Sequence, residues 1–381
     1  MYSKEDYIKE ASTLIEKKNY KDAKLILLEL IKKTKNSKTK LGVYYLLFLS
    51  FDGLNEIKGA KKYLEKCLKI NTKNHLVLNN LANIYLKEGN MYKAEKFYLK
   101  SLENKNDYLI AIINIAIFYQ DTGRLDEAKK FYLKAINLFP KEISIYFNLS
   151  RIDKKFMSEE KIKYLVDLMK DEKIKSIDMG YGFFLLAEYE RKKSFFIKEI
   201  DHLQKAHQYL FNEKLNRNNQ TLNYWLNTIS KKYDKLSFIN ENKKNNLINF
   251  IPIFIIGLPR SGSTMVEAIL STGDTTIENL GETNIINGAV VSTHNQLKKK
   301  ENNRIDLDLI NNTVSKLMTD RNFLIKKSKI FTEKSLENFF YIEVILKIFP
   351  KAKFINTFRN VEDNIFAIFQ QALTKLSWTH S

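Results

Sequence analysis

Residues 254–270 read FIIGLPRSGSTMVEAIL, an apolar run followed by a glycine-containing turn and then a helical pattern. Gly257 and Gly262 keep the spacing of the phosphate-binding motif GxxxxGK[ST]. The stretch therefore predicts a strand, a loop whose amides converge on an anion, and a helix. Position 263 is serine, where that motif has lysine. Because this lysine spans the β and γ phosphates of a nucleotide, its absence disfavours a kinase or a triphosphatase.

The same loop is rich in groups that can donate hydrogen bonds. Arg260 offers a planar guanidinium to a terminal oxyanion. Ser261, Ser263 and Thr264 add hydroxyl groups. The alternative interpretation is a glycine turn without a ligand, which this density of donors disfavours. We therefore predict an anion site formed by residues 257–264.

The first half of the chain repeats itself with a period of 34 residues. Residues 75–108 and 109–142 superpose without a gap, and Pro140 closes the second unit. The matched pairs are Leu81 with Ile115, Ala82 with Ala116, Tyr85 with Tyr119, Gly89 with Gly123, Ala94 with Ala128, and Tyr98 with Tyr132. This pattern resembles the tetratricopeptide repeat, in which small residues let two antiparallel helices approach closely. Looser units fall near residues 4–37 and 41–74.

The repeats predict a helical array that presents a surface to a protein or peptide partner. Cys67 and the aromatic residues of this region are assigned to its packed core. After Pro140 the pattern weakens, although Ala187 and Ala206 still match across two predicted helices. His202 and His207 lie five residues apart, so they do not share a helix face, and we assign them no role.

The second half predicts alternating strands and helices, which are typical of a parallel sheet with ligands at the carboxyl ends of its strands. The predicted strands span 250–256, 330–332 and 353–358, and the predicted helices span 263–271, 306–320, 336–349 and 361–373, with a loop at 281–282. The fold class is therefore an α-solenoid of tetratricopeptide repeats followed by an α/β P-loop-like domain. The predicted boundaries are 1–211 for the array, 212–247 for a helical connector with a looser patch at 240–246, and 248–381 for the α/β domain.

The composition narrows the possible functions. The net charge of +19 attracts anionic ligands, but only 8 of the 63 basic residues are arginine and they are scattered, which disfavours a nucleic-acid groove. No apolar run reaches the ~18 residues that cross a bilayer, and the charged start of the chain lacks a secretion signal. One cysteine, Cys67, excludes an internal disulfide and a cysteine-based metal cluster. We expect a cytoplasmic protein without a metal ion or a membrane span.

Residues 252–271, PIFIIGLPRSGSTMVEAILS, resemble the 5′-phosphosulfate loop of sulfotransferases. Together with the repeats, the chain resembles the bacterial tetratricopeptide-repeat sulfotransferase proteins, whose catalytic part is similar to tyrosylprotein sulfotransferases. This resemblance implies 3′-phosphoadenylyl sulfate (PAPS) as the donor and a hydroxyl or amine group as the acceptor. By resemblance, the donor's 5′-phosphosulfate is held by Arg260, Ser261, Gly262, Ser263 and Thr264, and Arg260 also takes part in catalysis.

Three further positions follow from the resemblance. In ENLGETN, Glu282 follows a glycine as the family's general base does, the alternative being a solvated loop glutamate. TEKSLENF resembles the family's DKxPxNF, which implies that Lys334 neutralises charge on the bridging oxygen and that Asn338 supports it. The alternative for Lys334 is an ordinary exposed lysine. Arg359 matches the arginine that grips the donor's 3′-phosphate.

The sequence also departs from the family pattern. Ala367 stands where the family has a serine that contacts the 3′-phosphate, and Val361 stands where it has a proline. The sequence ends at Trp378, His380 and Ser381, where family members continue, so we expect an incomplete catalytic domain. The alternative function is a repeat-based scaffold with a truncated, inactive enzyme half. The acceptor stays open between peptide tyrosine, a sugar and a lipid head group, that is, a macromolecular or a small hydroxyl compound.

Overall fold

The computed structural model describes residues 3–229, 237–239, 247–273, 277–298, 304–320 and 329–373. Contacts divide the chain into two compact units, Met1–Phe156 and Met157–Ser381. The looser patch predicted at 240–246 lies outside the described part of the chain, and so do Trp378, His380 and Ser381.

The first unit consists of paired helices. They are α1 (Lys4–Glu16), α2 (Tyr20–Lys33), α3 (Ser37–Gly53), α4 (Ile57–Ile70), α5 (His75–Lys87), α6 (Met91–Asn104), α7 (Leu109–Asp121), α8 (Leu125–Leu138) and α9 (Ile143–Ile152). The starts of α5, α7 and α9 are separated by the predicted period of 34 residues. The repeat therefore continues past Pro140, beyond the point where the sequence pattern weakens.

The small residues of the repeat lie where helices meet. The four matched alanines, Ala82, Ala94, Ala116 and Ala128, are fully buried. Tyr98 and Tyr132 are buried as well. Gly89 and Gly123 close the turns within their helix pairs with φ of 74° and 78°, a left-handed conformation that glycine adopts without strain. These contacts confirm the predicted helical repeats.

Cys67 is fully buried in the core of the first unit. Burial raises the pKa of its thiol to about 12, so this cysteine stays protonated and contributes packing, as predicted. Among the helices that the structure describes, none combines the length and the apolar character needed to cross a membrane.

The second unit begins with helices and continues with two parallel sheets. The helices that precede the sheets are α10 (Glu159–Leu168), α11 (Ser176–Lys192), α12 (Phe196–Asn212), α13 (Leu215–Asn223) and the π-helix Tyr224–Ile229. Ala187 and Ala206 are buried on α11 and α12, as their match predicts. The strands are β1 (Ser237–Ile239), β2 (Ile251–Gly257), β3 (Glu278–Asn279), β4 (Arg304–Asp306), β5 (Ile330–Glu333) and β6 (Lys353–Thr357).

The larger sheet has the order β3-β5-β2-β6, and all of its strand pairs are parallel. In its register, Phe254 lies opposite Glu333 on one side and opposite Phe354 on the other. The strands β1 and β4 form a separate parallel pair. The helical repeats and this parallel sheet confirm the predicted fold class.

Helices cover the larger sheet and fill its core. They are α14 (Ser263–Gly273), α15 (Ile285–Lys298), α16 (Leu307–Asp320), a 3₁₀ helix (Leu336–Tyr341), α17 (Ile342–Ile348) and α18 (Val361–Phe369). Sequence reasoning missed α15, although Ile285, Ile286, Ala289 and Val290 recur at helical spacing and are buried. The single helix predicted at 336–349 begins as a 3₁₀ turn, a common geometry at helix starts.

A histidine ties α12 to the end of α18. Nε2 of His207 lies 2.7 Å from the carbonyl oxygen of Phe369, and the two rings stack with centroids 4.7 Å apart. Beside them, the amide of Gln370 donates to Oε1 of Glu199 at 2.8 Å. Because a carbonyl oxygen only accepts hydrogen bonds, Nε2 of His207 is the donor, and burial lowers the pKa of this ring. Sequence reasoning assigned this histidine no role.

Candidate active site

The predicted strand, anion loop and helix are present as β2, residues 258–262 and α14. Gly257 ends β2 with φ of 149°, and a Cβ atom there would lie 2.3 Å from the carbonyl oxygen of Thr357. Only glycine fits this position. Gly262 has φ of 100° and faces open space. The first amides of a helix have no carbonyl acceptor within the helix, so the start of α14 offers hydrogen-bond donors to an anion.

Neighbouring elements hold the loop in shape. Oγ of Ser261 and Oγ1 of Thr357 are hydrogen-bonded at 2.7 Å, and Thr357 is the last residue of β6. The amide of Asn364, on α18, donates to the carbonyl oxygen of Pro259 at 2.9 Å. Because both contacts bridge about 100 residues of sequence, the loop is organised by the fold before any ligand arrives.

Lys334 lies at the centre of the site, directly after β5. Its ammonium is 3.3 Å from Oγ1 of Thr264 and 3.3 Å from Oε1 of Glu282. Its side chain is 11% exposed, whereas that of Glu282 is 55% exposed. The structure thus places the loop helix, the predicted lysine and the predicted base side by side at the carboxyl edge of the sheet. A lysine this buried is not the ordinary exposed lysine of the alternative interpretation.

A second carboxylate, which the sequence analysis missed, shares this lysine. Oε2 of Glu267, on α14, is 3.9 Å from the ammonium of Lys334. Its Oε1 accepts hydrogen bonds from the amide of Gly281 at 3.1 Å and from Oγ1 of Thr332 at 2.9 Å. Glu267 is only 2% exposed. The signal in the sequence is a lone charged residue among the apolar residues of the loop helix.

A third carboxylate, Glu333, holds the loop that carries Glu282. Its oxygens accept hydrogen bonds from the amide and the hydroxyl of Thr283, at 3.0 and 2.7 Å, and from the amide of Ser335 at 3.1 Å. The hydroxyl of Ser335 and the side-chain amide of Asn338 also donate to it. Asn338 therefore supports the lysine indirectly, by holding the residue that precedes it.

A cavity of about 320 Å³ adjoins the anion loop. It is lined by Gly257, Leu258, Ser261, Phe339, Asn356, Thr357, Phe358, Arg359, Val361 and Asn364. Arg359 has a half-exposed side chain, and its guanidinium is 3.8 Å from Asp363. Ser261 and Arg359 therefore border one cavity, as their predicted shared ligand requires.

The remaining predicted site residues lie in or next to the loop. Arg260 has φ of 67° and an exposed side chain, and no ion pair to it is found among the described residues. Ser263 is half-buried at the start of α14. Ala367 is half-buried on α18 and supplies no hydroxyl. In the described ranges, no group of three or more His, Cys, Asp and Glu side chains is arranged to hold a metal ion.

The buried carboxylate of Glu267 makes a pH prediction. Desolvation raises its pKa above the ordinary value of 4.5, against the lowering effects of the Thr332 hydrogen bond and the Lys334 charge. The folded state then binds this proton more tightly than the unfolded state, so stability is lost as the pH rises from 4.5 through the folded-state pKa. Glu267→Gln removes the titration.

As the pH rises across this window, the parent protein loses stability through Glu267 and the Glu267→Gln variant does not. We therefore expect the free energy of unfolding of the variant to increase relative to that of the parent protein. Urea unfolding followed by circular dichroism at a series of pH values measures the difference. Parallel pH profiles for the two proteins would contradict a raised pKa at Glu267.

Comparison with known families gives matches in both halves of the chain. Residues 252–381 match the model of the sulfotransferase family. Residues 41–74 and 74–141 match models of the tetratricopeptide repeat. The chain thus combines tetratricopeptide repeats, which support a protein partner, with a sulfotransferase-family domain.

Several solved structures are similar to part of the chain at low sequence identity. A crystal structure of MamA is 18% identical, with a TM-score of 0.35, and the match covers 42% of this chain and 94% of that one. The pilF protein of Pseudomonas aeruginosa is 16% identical, with a TM-score of 0.41 and coverage of 52% and 88%. YrrB, described as a repeat protein with an unusual peptide-binding site, is 17% identical, with a TM-score of 0.34 and coverage of 44% and 88%. No curated protein matches the chain.

Proposed function

We propose that this protein transfers a sulfuryl group from PAPS to a hydroxyl or amine acceptor. One observation carries the proposal: the ammonium of Lys334 lies 3.3 Å from both Thr264 of the anion loop and Glu282. Sulfuryl transfer needs an anion cradle, a cation near the leaving oxygen and a base near the acceptor. These three groups meet at one edge of the sheet.

The donor fits the residues that surround the cavity. Its 5′-phosphosulfate is an oxyanion that matches the hydroxyls and the helix-start amides at residues 261–264. Its 3′-phosphate matches the guanidinium of Arg359, which borders the same cavity as Ser261. Val361 and Ala367 supply no polar side chain there, so we expect Arg359 to carry most of the side-chain attraction for the 3′-phosphate.

The chemistry divides between two side chains. Glu282 accepts the proton of the acceptor hydroxyl as its oxygen forms a bond to sulfur. The bond between sulfur and the donor's bridging oxygen breaks, and the electron pair stays on that oxygen, which leaves adenosine 3′,5′-bisphosphate. Lys334 stabilises the negative charge at that oxygen. Glu267 and the Glu333 network act by positioning Lys334 and the loop that bears Glu282.

Binding of adenosine 3′,5′-bisphosphate tests the proposal. We expect the full chain to bind it in isothermal titration calorimetry, and Arg359→Ala to weaken binding by at least about tenfold, because a charged hydrogen bond to phosphate is lost. Lys353→Ala is the matched control, because Lys353 is an exposed cation at the start of β6, whereas Arg359 follows the end of that strand. Its affinity should equal that of the parent protein.

The same titration addresses the alternative function. A folded protein that does not bind the bisphosphate, and that yields no labelled product from radiolabelled PAPS and cell extract, would favour the repeat-based scaffold with an inactive enzyme half. Equal weakening by Arg359→Ala and Lys353→Ala would contradict a specific 3′-phosphate site and leave only general attraction to a positive protein.

We further propose that the repeat array holds a protein partner or presents the acceptor. Its helices carry exposed apolar side chains on α7, where Ile110 is 53% and Ile117 is 38% exposed. Such residues on an elongated helical array are typical of peptide-binding surfaces.

A further inference from the structure

The turn between α11 and α12 carries a cluster of exposed apolar side chains. Residues 192–198, KKSFFIK, are all exposed, and we call them the hairpin tip. Phe195, Phe196 and Ile197 are 52%, 60% and 80% exposed. Ile200, one turn further along α12, is 39% exposed and lies on the same helix face as Phe196 and Ile197. Contiguous exposed apolar groups of this size usually mark an interaction site.

The backbone of the hairpin tip is closed by hydrogen bonds. The amide of Ser194 donates to the carbonyl oxygen of Arg191 at 2.9 Å, and the amide of Phe195 donates to that of Glu190 at 3.0 Å. Ser194 has φ of 61°, which lets the chain reverse direction within these few residues. This bonding fixes the turn, so the apolar side chains protrude from a short, well-defined structure.

The charged residues within the hairpin tip are all positive. Lys192, Lys193 and Lys198 belong to it, and it contains no acidic residue. The ammonium of Lys198 lies 5.2 Å from the centre of the Phe195 ring, so a cation accompanies the apolar group directly.

The acidic neighbours begin outside the tip, on the helices that lead to and from it. Glu188 is 3.3 Å from Lys192, and the exposed Glu159 is 4.0 Å from Lys193. Glu199 is 1% exposed and accepts a hydrogen bond from Gln370. Asp201, one turn from Ile197, is exposed. Two of the three tip lysines therefore have a glutamate partner, and no ion pair to Lys198 is found among the described residues.

We propose that the hairpin tip binds the surface of an anionic lipid bilayer. Phe195, Phe196 and Ile197 enter the boundary between head groups and acyl chains, while the three lysines meet lipid phosphates. Exposed apolar side chains flanked by cations suit a bilayer, because lipids can rearrange around the side chains that enter them. A protein partner would instead need a groove that matches the hairpin tip. The net charge of +19 adds long-range attraction to an anionic surface.

Vesicle sedimentation with the full chain tests this inference. We expect binding to phosphatidylcholine vesicles that contain phosphatidylglycerol, weaker binding to pure phosphatidylcholine, and a decrease at about 0.5 M salt, because the lipid charges are then screened. Phe196→Asp combined with Ile197→Asp should lower the vesicle partition coefficient by at least about tenfold, since two apolar side chains are replaced by charges.

The matched control is Tyr92→Asp, which makes the same kind of change at a 75% exposed aromatic residue on α6. It should bind vesicles almost as the parent protein does, with only the small loss expected from one charge. Circular dichroism checks that each variant is folded.

Three outcomes would overturn the inference. They are a folded parent protein that sediments with neither kind of vesicle, a parent protein that binds both kinds equally, and a tip variant that binds as well as the Tyr92→Asp control. Because the hairpin tip lies outside the anion site, these results are independent of whether the protein transfers sulfuryl groups.

Discussion

We expect Glu282→Gln to lower the rate of sulfuryl transfer by about 10²- to 10⁴-fold, the range typical when a general base is lost. The amide has nearly the shape of the carboxylate but cannot take the acceptor's proton. Its oxygen can still accept the hydrogen bond that Lys334 now donates at 3.3 Å. Binding of adenosine 3′,5′-bisphosphate should therefore change little, so that the loss appears in turnover and not in donor affinity.

The measurement compares initial rates of label transfer from PAPS at saturating donor. Glu343→Gln serves as the control, because Glu343 is an exposed glutamate on α17, away from Lys334. It should be as active as the parent protein. Full activity in Glu282→Gln would assign Glu282 to the solvated loop and require another base.

The site keeps one lysine between two carboxylates with different surroundings. Glu267 is 3% exposed and Glu282 is 55% exposed at the side chain. Attraction between charges is stronger where water is excluded. We therefore infer that Glu267 holds the ammonium in place while Glu282 stays accessible to an acceptor. Another glutamate lies close to these groups: burial raises the pKa of Glu337 against the lowering effect of a backbone hydrogen bond, and the charges of Glu333 and Glu282 raise it further.

Sequence reasoning predicted the features that depend on local spacing. Residues close together along the chain determine the 34-residue period, the glycines of the loop at 257 and 262, and the alternation of strands and helices. The positions of Thr264, Glu282 and Lys334 followed from motifs, and the structure brings them together.

The supporting network was beyond prediction because its partners are far apart in sequence. Glu267 contacts Thr332 across 65 residues, and Glu333 contacts Thr283 across 50. No local pattern records such pairs, since they arise only when parallel strands bring their carboxyl ends to one edge. The helix α15 was missed for a different reason: its first apolar residues follow the Gly281 loop so closely that we assigned them to that loop.

Glu333→Ala should destabilise the second unit by about 3–5 kcal/mol, the loss typical when one partner of a buried charged network is removed. Glu333 is 2% exposed and accepts hydrogen bonds from Thr283, Ser335 and Asn338. Removing the carboxylate deletes these hydrogen bonds in a buried site, where an unsatisfied polar group costs about 1–3 kcal/mol before relaxation. Since domains are stable by only about 5–15 kcal/mol, this loss is a large fraction of the free energy that keeps the sheet edge folded.

Urea unfolding measures this loss, with Glu343→Ala as the exposed control that should stay close to the parent protein. Glu333→Asp keeps the charge on a shorter side chain, so we expect an intermediate loss of stability. Glu333 holds the loop that carries Glu282 through its hydrogen bonds with Thr283, the next residue. We therefore expect folded Glu333→Asp, measured without urea, to transfer sulfuryl groups more slowly than the parent protein. Equal unfolding midpoints for Glu333→Ala and Glu343→Ala would show that the buried hydrogen bonds at Glu333 add nothing to stability.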